Sequence, residues 1–193
     1  MKAVDLSPTT ASVRQPAPSW TTEVGLVTGV WGVGVLAAAV FPLQEPHVVR
    51  AALFIHLMSM AVGFGAVVMI DVYGLQWLLG RRTLAELADL ARVAHGVIVF
   101  GTGGLLASGV ALHPDLTSGL TRFKLVLVLT LMLNGAGAQR WLRHLKTGVP
   151  AETRGAAIPW RVFQRGLLAA IVSQSTWWGS IAIGFITNAK RHG

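Results

Sequence analysis

The sequence predicts an all-α membrane protein, built as a bundle of five transmembrane helices. Of its 193 residues, 53% are hydrophobic and only 12% are charged, whereas a soluble domain usually carries about twice that charged fraction. The mean hydropathy is +0.59. Five long apolar stretches account for this composition, and each is long enough to cross the roughly 30 Å of bilayer hydrocarbon as a helix. These observations predict that the lipid bilayer surrounds the protein.

The apolar stretches define one membrane domain between two tails. Residues 1–22 are polar and rich in Ser, Thr, Pro and Ala, which is typical of a mobile tail. Residues 23–188 form the predicted five-helix domain, and residues 189–193 form a C-terminal tail. The predicted spans cover residues 24–41, 50–73, 91–112, 120–138 and 167–187. The chain has no cysteine, which excludes disulfides, thiolate metal sites and covalently attached c-type haem.

The first two spans carry glycines and one buried histidine. Gly25 and Gly29 form a Gly-xxx-Gly pair, which favours close packing of the first span against another helix. In the second span, His56 is the one residue between Arg50 and Asp71 that can carry a charge. Because ionisable groups at membrane depth are costly, His56 is a candidate functional residue. The apolar pattern of this span continues beyond residue 73, so we expect the helix to tilt or to project from the bilayer.

The distribution of basic residues predicts the orientation. With five spans, the loops on the side of the N-terminus hold eleven of the sixteen Lys and Arg residues: Lys2, Arg14, Arg81, Arg82, Arg92, Arg140, Arg143, Lys146, Arg154, Arg161 and Arg165. Cytoplasmic loops are enriched in such residues. The N-terminus is therefore predicted in the cytoplasm and the C-terminus outside, in the cell's inner membrane. The net charge of +8 then reflects membrane orientation, and no nucleic-acid partner is expected.

Helical phase and depth group the polar residues into two sites. At about 100° per residue, His56 and Gly63 share one face of the second span. The glycine allows either close helix packing or the approach of a flat ligand such as a tetrapyrrole. His113 follows the third span at the same outer level, where it can also act as an interfacial cap, and Gly109 lies one turn below it. Lys124 begins the fourth span on that side, where it can snorkel to water or bind a carboxylate.

The second predicted site lies near the inner surface. His95 is about 20 Å deeper than His56 on the rise of 1.5 Å per residue, so these two histidines cannot ligate one haem. Asp71 shares the inner level of His95, and a contact between them would lower the cost of burying either group. The alternatives are an interfacial histidine and an aspartate that snorkels to water.

These motifs resemble the CopD-like membrane domain and the related HemJ-type protoporphyrinogen oxidases. The resemblance covers residues 48–185 and rests on three short runs. They are His56-Leu-Met-Ser-Met-Ala-Val-Gly63-Phe-Gly65, then Arg92-Val-Ala-His95 with Ala107-Ser108-Gly109-Val110, and Arg122-Phe-Lys124 before a leucine run. HemJ-type proteins bind haem b, and the resemblance maps their histidine and lysine to His56 and Lys124. CopD-like proteins are linked to copper uptake.

The sequence thus favours a membrane protein that binds haem b between helices, for electron transfer or an oxidoreductase reaction. His56 is the predicted iron ligand, with His113 as the second ligand. Lys124 is the predicted partner of a haem propionate, and Gly63 and Gly109 would leave room for the macrocycle. The alternatives are ion or copper transport, with Asp71, His95 and Asn134 along a polar path, and a non-catalytic membrane subunit. A membrane redox partner or a second copy of the chain are the expected protein partners.

Overall fold

Over the residues that the structure describes, the chain folds into five α-helices, as the sequence predicts. The structure is a computed structural model that describes residues 18–40, 45–154 and 159–192, apart from the side chains of residues 188–192. The helices are α1 (Trp20–Val40), α2 (Pro46–Leu78), α3 (Leu84–Ala111), α4 (Gly119–Gly148) and α5 (Trp160–His192). Within those described ranges there is no strand. The all-α fold and the count of five helices are therefore confirmed.

Helices α1 to α4 are each long and apolar enough to cross a membrane. This identifies the chain as a multi-pass integral membrane protein. Large apolar side chains on the outside of the bundle are exposed, as lipid-facing residues are: Phe54 is 64% exposed and Phe100 77%. Helix α5 has the same length as α2, 33 residues. Polar residues in its centre, including Ser173 and Gln174, reduce its hydropathy.

The helix ends differ from the predicted span limits. Helix α1 starts at Trp20, inside the predicted tail, whereas residues 1–17 lie outside the described residues. Helix α5 continues through the predicted C-terminal tail to His192. Helix α3 starts seven residues before the predicted position 91, because Thr83 caps it. The Thr83 hydroxyl accepts from the backbone N–H of Glu86 at 3.3 Å, and the Glu86 carboxylate accepts from the N–H of Thr83 at 2.8 Å.

One end of the bundle carries Arg81, Arg82, Arg143 and Lys146 and is called the basic end. It holds a small apolar core. Its buried members are Trp77, Leu84, Leu87 and Leu145, contributed by α2, α3 and α4. The indole N–H of Trp77 donates to the carbonyl of Thr153 at 3.1 Å. The same carbonyl accepts from the backbone N–H of Leu84 at 3.0 Å. The connection between α4 and α5 therefore closes this core and satisfies the start of α3. The core explains why α2 continues beyond residue 73.

Helices α2 and α3 pack along a line of small residues. A Cβ added to Gly101 would lie 2.8 Å from the Cα of Gly63 and 2.9 Å from the carbonyl oxygen of Ser59. Such distances to backbone atoms are too short for any side chain, so only glycine permits this approach. Ser59, Gly63, Gly101 and Ser108 are all buried here. In the bilayer, where lipid tails are as apolar as leucine, this van der Waals contact is a main source of helix association.

We predict that Gly101→Ala destabilises the bundle, because the added methyl group meets backbone that cannot rotate away. The expected loss is about 1–3 kcal/mol, the usual range for overpacking. The measurement is thermal unfolding of the detergent-solubilised protein. Gly103→Ala is the matched control on the same helix, since a Cβ there meets nothing within 4 Å. Equal melting temperatures for the two variants would contradict the packing described above.

Candidate functional site

The candidate site lies around His56, and Gly63 on the same helix bounds it on the side of the basic end. The level of Gly63 is called the floor of the site. A Cβ on Gly63 would lie 3.5 Å from the Cα of Gly101 and 3.5 Å from Cη2 of Trp177 on α5. Trp177 is only 3% exposed, and its ring lies 5.5 Å from that of Phe64. The face of Gly63 is therefore filled by a neighbouring backbone and an indole. Helix packing therefore accounts for this glycine, and its predicted role beside a macrocycle stays a prediction.

His56 lies two helical turns outward from this floor. From Gly63 to His56 on α2, and from Gly101 to Ser108 on α3, there are seven residues, or about 10 Å of rise. The Nδ1 atom of His56 is 3.0 Å from the hydroxyl oxygen of Ser108. A Cβ on Gly109 would lie 3.9 Å from Cε1 of His56. The half-buried imidazole thus faces α3 inside the bundle, and Gly109 lies directly beside it.

The hydrogen bonds of Ser108 determine the tautomer of His56. The Ser108 hydroxyl donates to the backbone carbonyl of Gly104. The backbone carbonyl oxygen of Leu105 lies 3.3 Å from the same hydroxyl oxygen. A hydroxyl has one hydrogen to donate, so its oxygen accepts from Nδ1 of His56. The Nδ1 atom therefore carries the proton, and Nε2 keeps its lone pair. A hydrogen bond at one ring nitrogen that orients the other is the usual arrangement for a metal-ligating histidine.

Lys124 brings a cation to the same level. A Cβ on Gly184 of α5 would lie 3.7 Å from the Nζ atom of Lys124. Gly184 is seven residues beyond Trp177, so it lies about 10 Å outward from the floor, as His56 does. The structure therefore places Lys124 and His56 at the same level of the bundle.

His113 has an unusual backbone at the outer end of α3. It follows Leu112, the last cap residue of the helix, and adopts φ 47°, in the left-handed region that favours glycine. For a residue with a Cβ this costs roughly 1 kcal/mol or more. The Nε2 atom of His113 is buried and has no hydrogen-bond partner among the described residues. The imidazole therefore points into the protein, unlike that of a solvated cap.

Two further polar atoms on α5 are buried and have no hydrogen-bond partner in the part of the chain that the structure describes. They are the indole N–H of Trp177 and the hydroxyl of Ser180, which lies between the floor and Gly184 along the helix. Within a membrane protein an unsatisfied polar group costs several kcal/mol. The middle and outer parts of the bundle thus contain more hydrogen-bonding capacity than the described residues satisfy.

The predicted second polar site, Asp71 and His95, has its described contacts on two different elements. The amide of Gln174 on α5 donates to the Asp71 carboxylate at 2.6 Å, and the Gln174 oxygen accepts from the indole N–H of Trp178 at 3.2 Å. His95 instead lines a cleft between α3 and α4. His95 follows the buried residue Ala94 and is itself exposed. The contact between Asp71 and His95 stays a prediction.

Two residues of these sites were not predicted to take part. Ser108 could have been found from its spacing of seven residues from Gly101, which puts both on one face. Gln174 is a long amide inside an apolar stretch, and such residues usually need a partner in the membrane. Asn134, the proposed polar-path residue, donates to the backbone carbonyl of Ala169 at 2.9 Å and so joins α4 to α5.

Metal donors are sparse in the part of the chain that the structure describes. No group of three or more His, Cys, Asp or Glu side chains there could hold a metal ion. Haem needs only one or two protein ligands, so His56 and His113 suffice as donors for it. The chain matches no protein-family model, no curated protein and no solved structure.

We predict that Gln174→Leu destabilises the protein by about 1–2 kcal/mol, because the Asp71 carboxylate loses the amide that donates a hydrogen bond to it inside the bundle. Gln164→Leu is the control, since Gln164 is an exposed glutamine on the same helix. Thermal unfolding in one detergent gives both values. Asp71→Asn should have a smaller effect, because the amide oxygen of asparagine can still accept from Gln174. If the Gln174→Leu and Gln164→Leu variants have equal melting temperatures, the contact between Gln174 and Asp71 contributes nothing to stability.

Proposed function

We propose that this membrane protein binds haem b, with His56 as an iron ligand, and uses it for electron transfer or an oxidoreductase reaction. The observation that carries the proposal is the hydrogen bond from His56 Nδ1 to Ser108, which leaves Nε2 unprotonated inside the bundle. The resemblance to CopD-like and HemJ-type proteins is part of the same proposal.

Other residues around His56 support this assignment. The Lys124 ammonium, next to Gly184 at the level of the histidine, can hold a carboxylate such as a propionate. His113, with its buried Nε2, is proposed as the second ligand. The rings of Trp177 and Phe64 pack against each other on the inner side of this region. Haem would supply a one-electron redox couple there, with a potential that depends on its ligands and burial. Electron transfer also requires a membrane redox partner or a second copy of the chain.

A second candidate function is ion transport, and the line of polar groups through the bundle favours it. From the inner side outward the groups belong to Asp71, Gln174, Trp177, Ser180 and Lys124. Intramembrane ionisable residues often mark proton or ion paths. The shortage of clustered metal donors among the described residues favours a proton or a small cation over copper as the transported species.

The visible spectrum of the purified protein tests the haem proposal. We expect a Soret band that His56→Ala abolishes, because the iron loses its ligand. His113→Ala should convert a six-coordinate spectrum into a five-coordinate one. Ser108→Ala should weaken haem binding by about 10–100-fold, the usual effect of losing the hydrogen bond that orients a ligand.

The control for this experiment is His95→Ala. His95 is an exposed histidine in the α3–α4 cleft, so its loss should leave the spectrum unchanged. If His95→Ala removes the haem and His56→Ala does not, the assignment of ligands is wrong. If the wild-type protein carries no haem and takes none up, ion transport becomes the leading function.

We also propose the orientation of the bundle, from the basic residues that gather at one end. That end, with Arg81, Arg140 and Lys146, should face the cytoplasm of the inner membrane. A thiol-reactive, membrane-impermeant probe should therefore label Gly193→Cys in intact cells, and Arg81→Cys only after lysis. The chain has no natural cysteine that would interfere. The opposite labelling pattern would show an inverted topology.

A further inference from the structure

A basic cleft separates α3 from α4 at the basic end of the bundle. Its volume is about 230 Å³. Three side chains with permanent positive charges line it, together with a histidine, an amide and two apolar residues: Arg92, Arg143, Lys146, His95, Gln139, Ala88 and Leu142. The cleft lies between α3 and α4 near the end of the bundle that carries the basic residues, and His56 does not line it.

The charges of the cleft are only partly balanced by the protein. Arg92 pairs with Asp89 on its own helix, and Arg143 pairs with Glu23 of α1 at 2.6 Å. Lys146, His95 and Gln139 have no hydrogen-bond or ion partner among the described residues. With three permanent cations and two carboxylates, the cleft keeps a net positive charge. It offers an anion several donors that the protein does not use.

An apolar strip continues from the cleft along α3. At about 100° per residue, Gly96, Val99 and Gly103 share the face of Arg92 and His95. All three are exposed; Val99 is 56% exposed, and a Cβ on either glycine would meet nothing within 4 Å. From His95 to Gly103 the strip is about 12 Å long. It ends near Leu106, which contacts α1 at Gly34.

We infer that the cleft binds the phosphate group of an anionic phospholipid, whose acyl chain lies along the strip of Gly96, Val99 and Gly103. Basic pockets between transmembrane helices at the membrane surface suit such headgroups. A phosphate oxygen can accept from Lys146 and Gln139 while the Arg92 and Arg143 guanidinium groups remain paired with their carboxylates. This site does not depend on the haem proposal, because it shares no residue with the surroundings of His56.

The test measures stabilisation of the purified protein in a neutral detergent. Phosphatidylglycerol should raise the unfolding temperature in a saturable way, whereas phosphatidylcholine should not. The double variant Arg92→Gln with Lys146→Gln should bind phosphatidylglycerol about tenfold more weakly or worse. Arg161→Gln with Arg165→Gln is the control, because both arginines are exposed at the same end but outside the cleft. The control pair should bind as the wild type does.

Two further arms identify the source of the phosphate. Inorganic phosphate alone should stabilise the wild type only weakly. Gly103→Leu, which fills the strip without touching the cleft, should weaken phosphatidylglycerol binding and leave the phosphate response unchanged. A full response to inorganic phosphate that needs Arg92 and Lys146 would keep the anion site but assign it to a soluble ligand. The inference fails if the cleft variant binds phosphatidylglycerol like the wild type, or if the control pair weakens binding equally.

Discussion

The contact between the backbones of α2 and α3 at Gly63 and Gly101 determines the arrangement of the rest of the bundle. No residue with a Cβ fits at Gly101 without moving one helix, so this contact fixes both the distance and the register of the pair. Once it is fixed, residues seven positions outward on each helix must meet, and these are His56 and Ser108. The same register turns Asp71 toward α5. A packing contact between two glycines thus positions the polar residues at both levels.

The bilayer explains why the polar groups of this protein are informative. Several buried donors reach across to the carbonyl of another element, as Trp31 does to Leu125 and Asn134 does to Ala169. In hydrocarbon no water can replace such bonds. Against this background, the unsatisfied atoms of Trp177 and Ser180 are exceptions. They lie on the part of α5 between the floor at Gly63 and the level of Lys124, the region where a ligand would also meet His56.

Hydropathy and helical phase were sufficient to predict the five helices and the inward direction of His56. They were not sufficient to predict where the helices end, because the ends depend on contacts outside the bilayer. Thr83 starts α3 through a capping box in a stretch whose charges appeared to exclude it from a span. Helical phase and depth were also insufficient to predict that Asp71 contacts Gln174. Two residues at one depth meet only if their helices are rotated toward each other, and that rotation follows from packing along the whole interface.

The two ends of the bundle are held together in different ways. At the basic end, Trp77, Leu84 and Leu145 form an apolar core that the α4–α5 connection covers, as in a soluble domain. Taken over the whole length of the helices, close packing is concentrated within the α2–α3 pair and the α4–α5 pair, whereas contacts between the pairs are sparser. His56 belongs to the first pair and Lys124 to the second. The candidate site therefore lies between the two helix pairs, at the end of the bundle opposite this core.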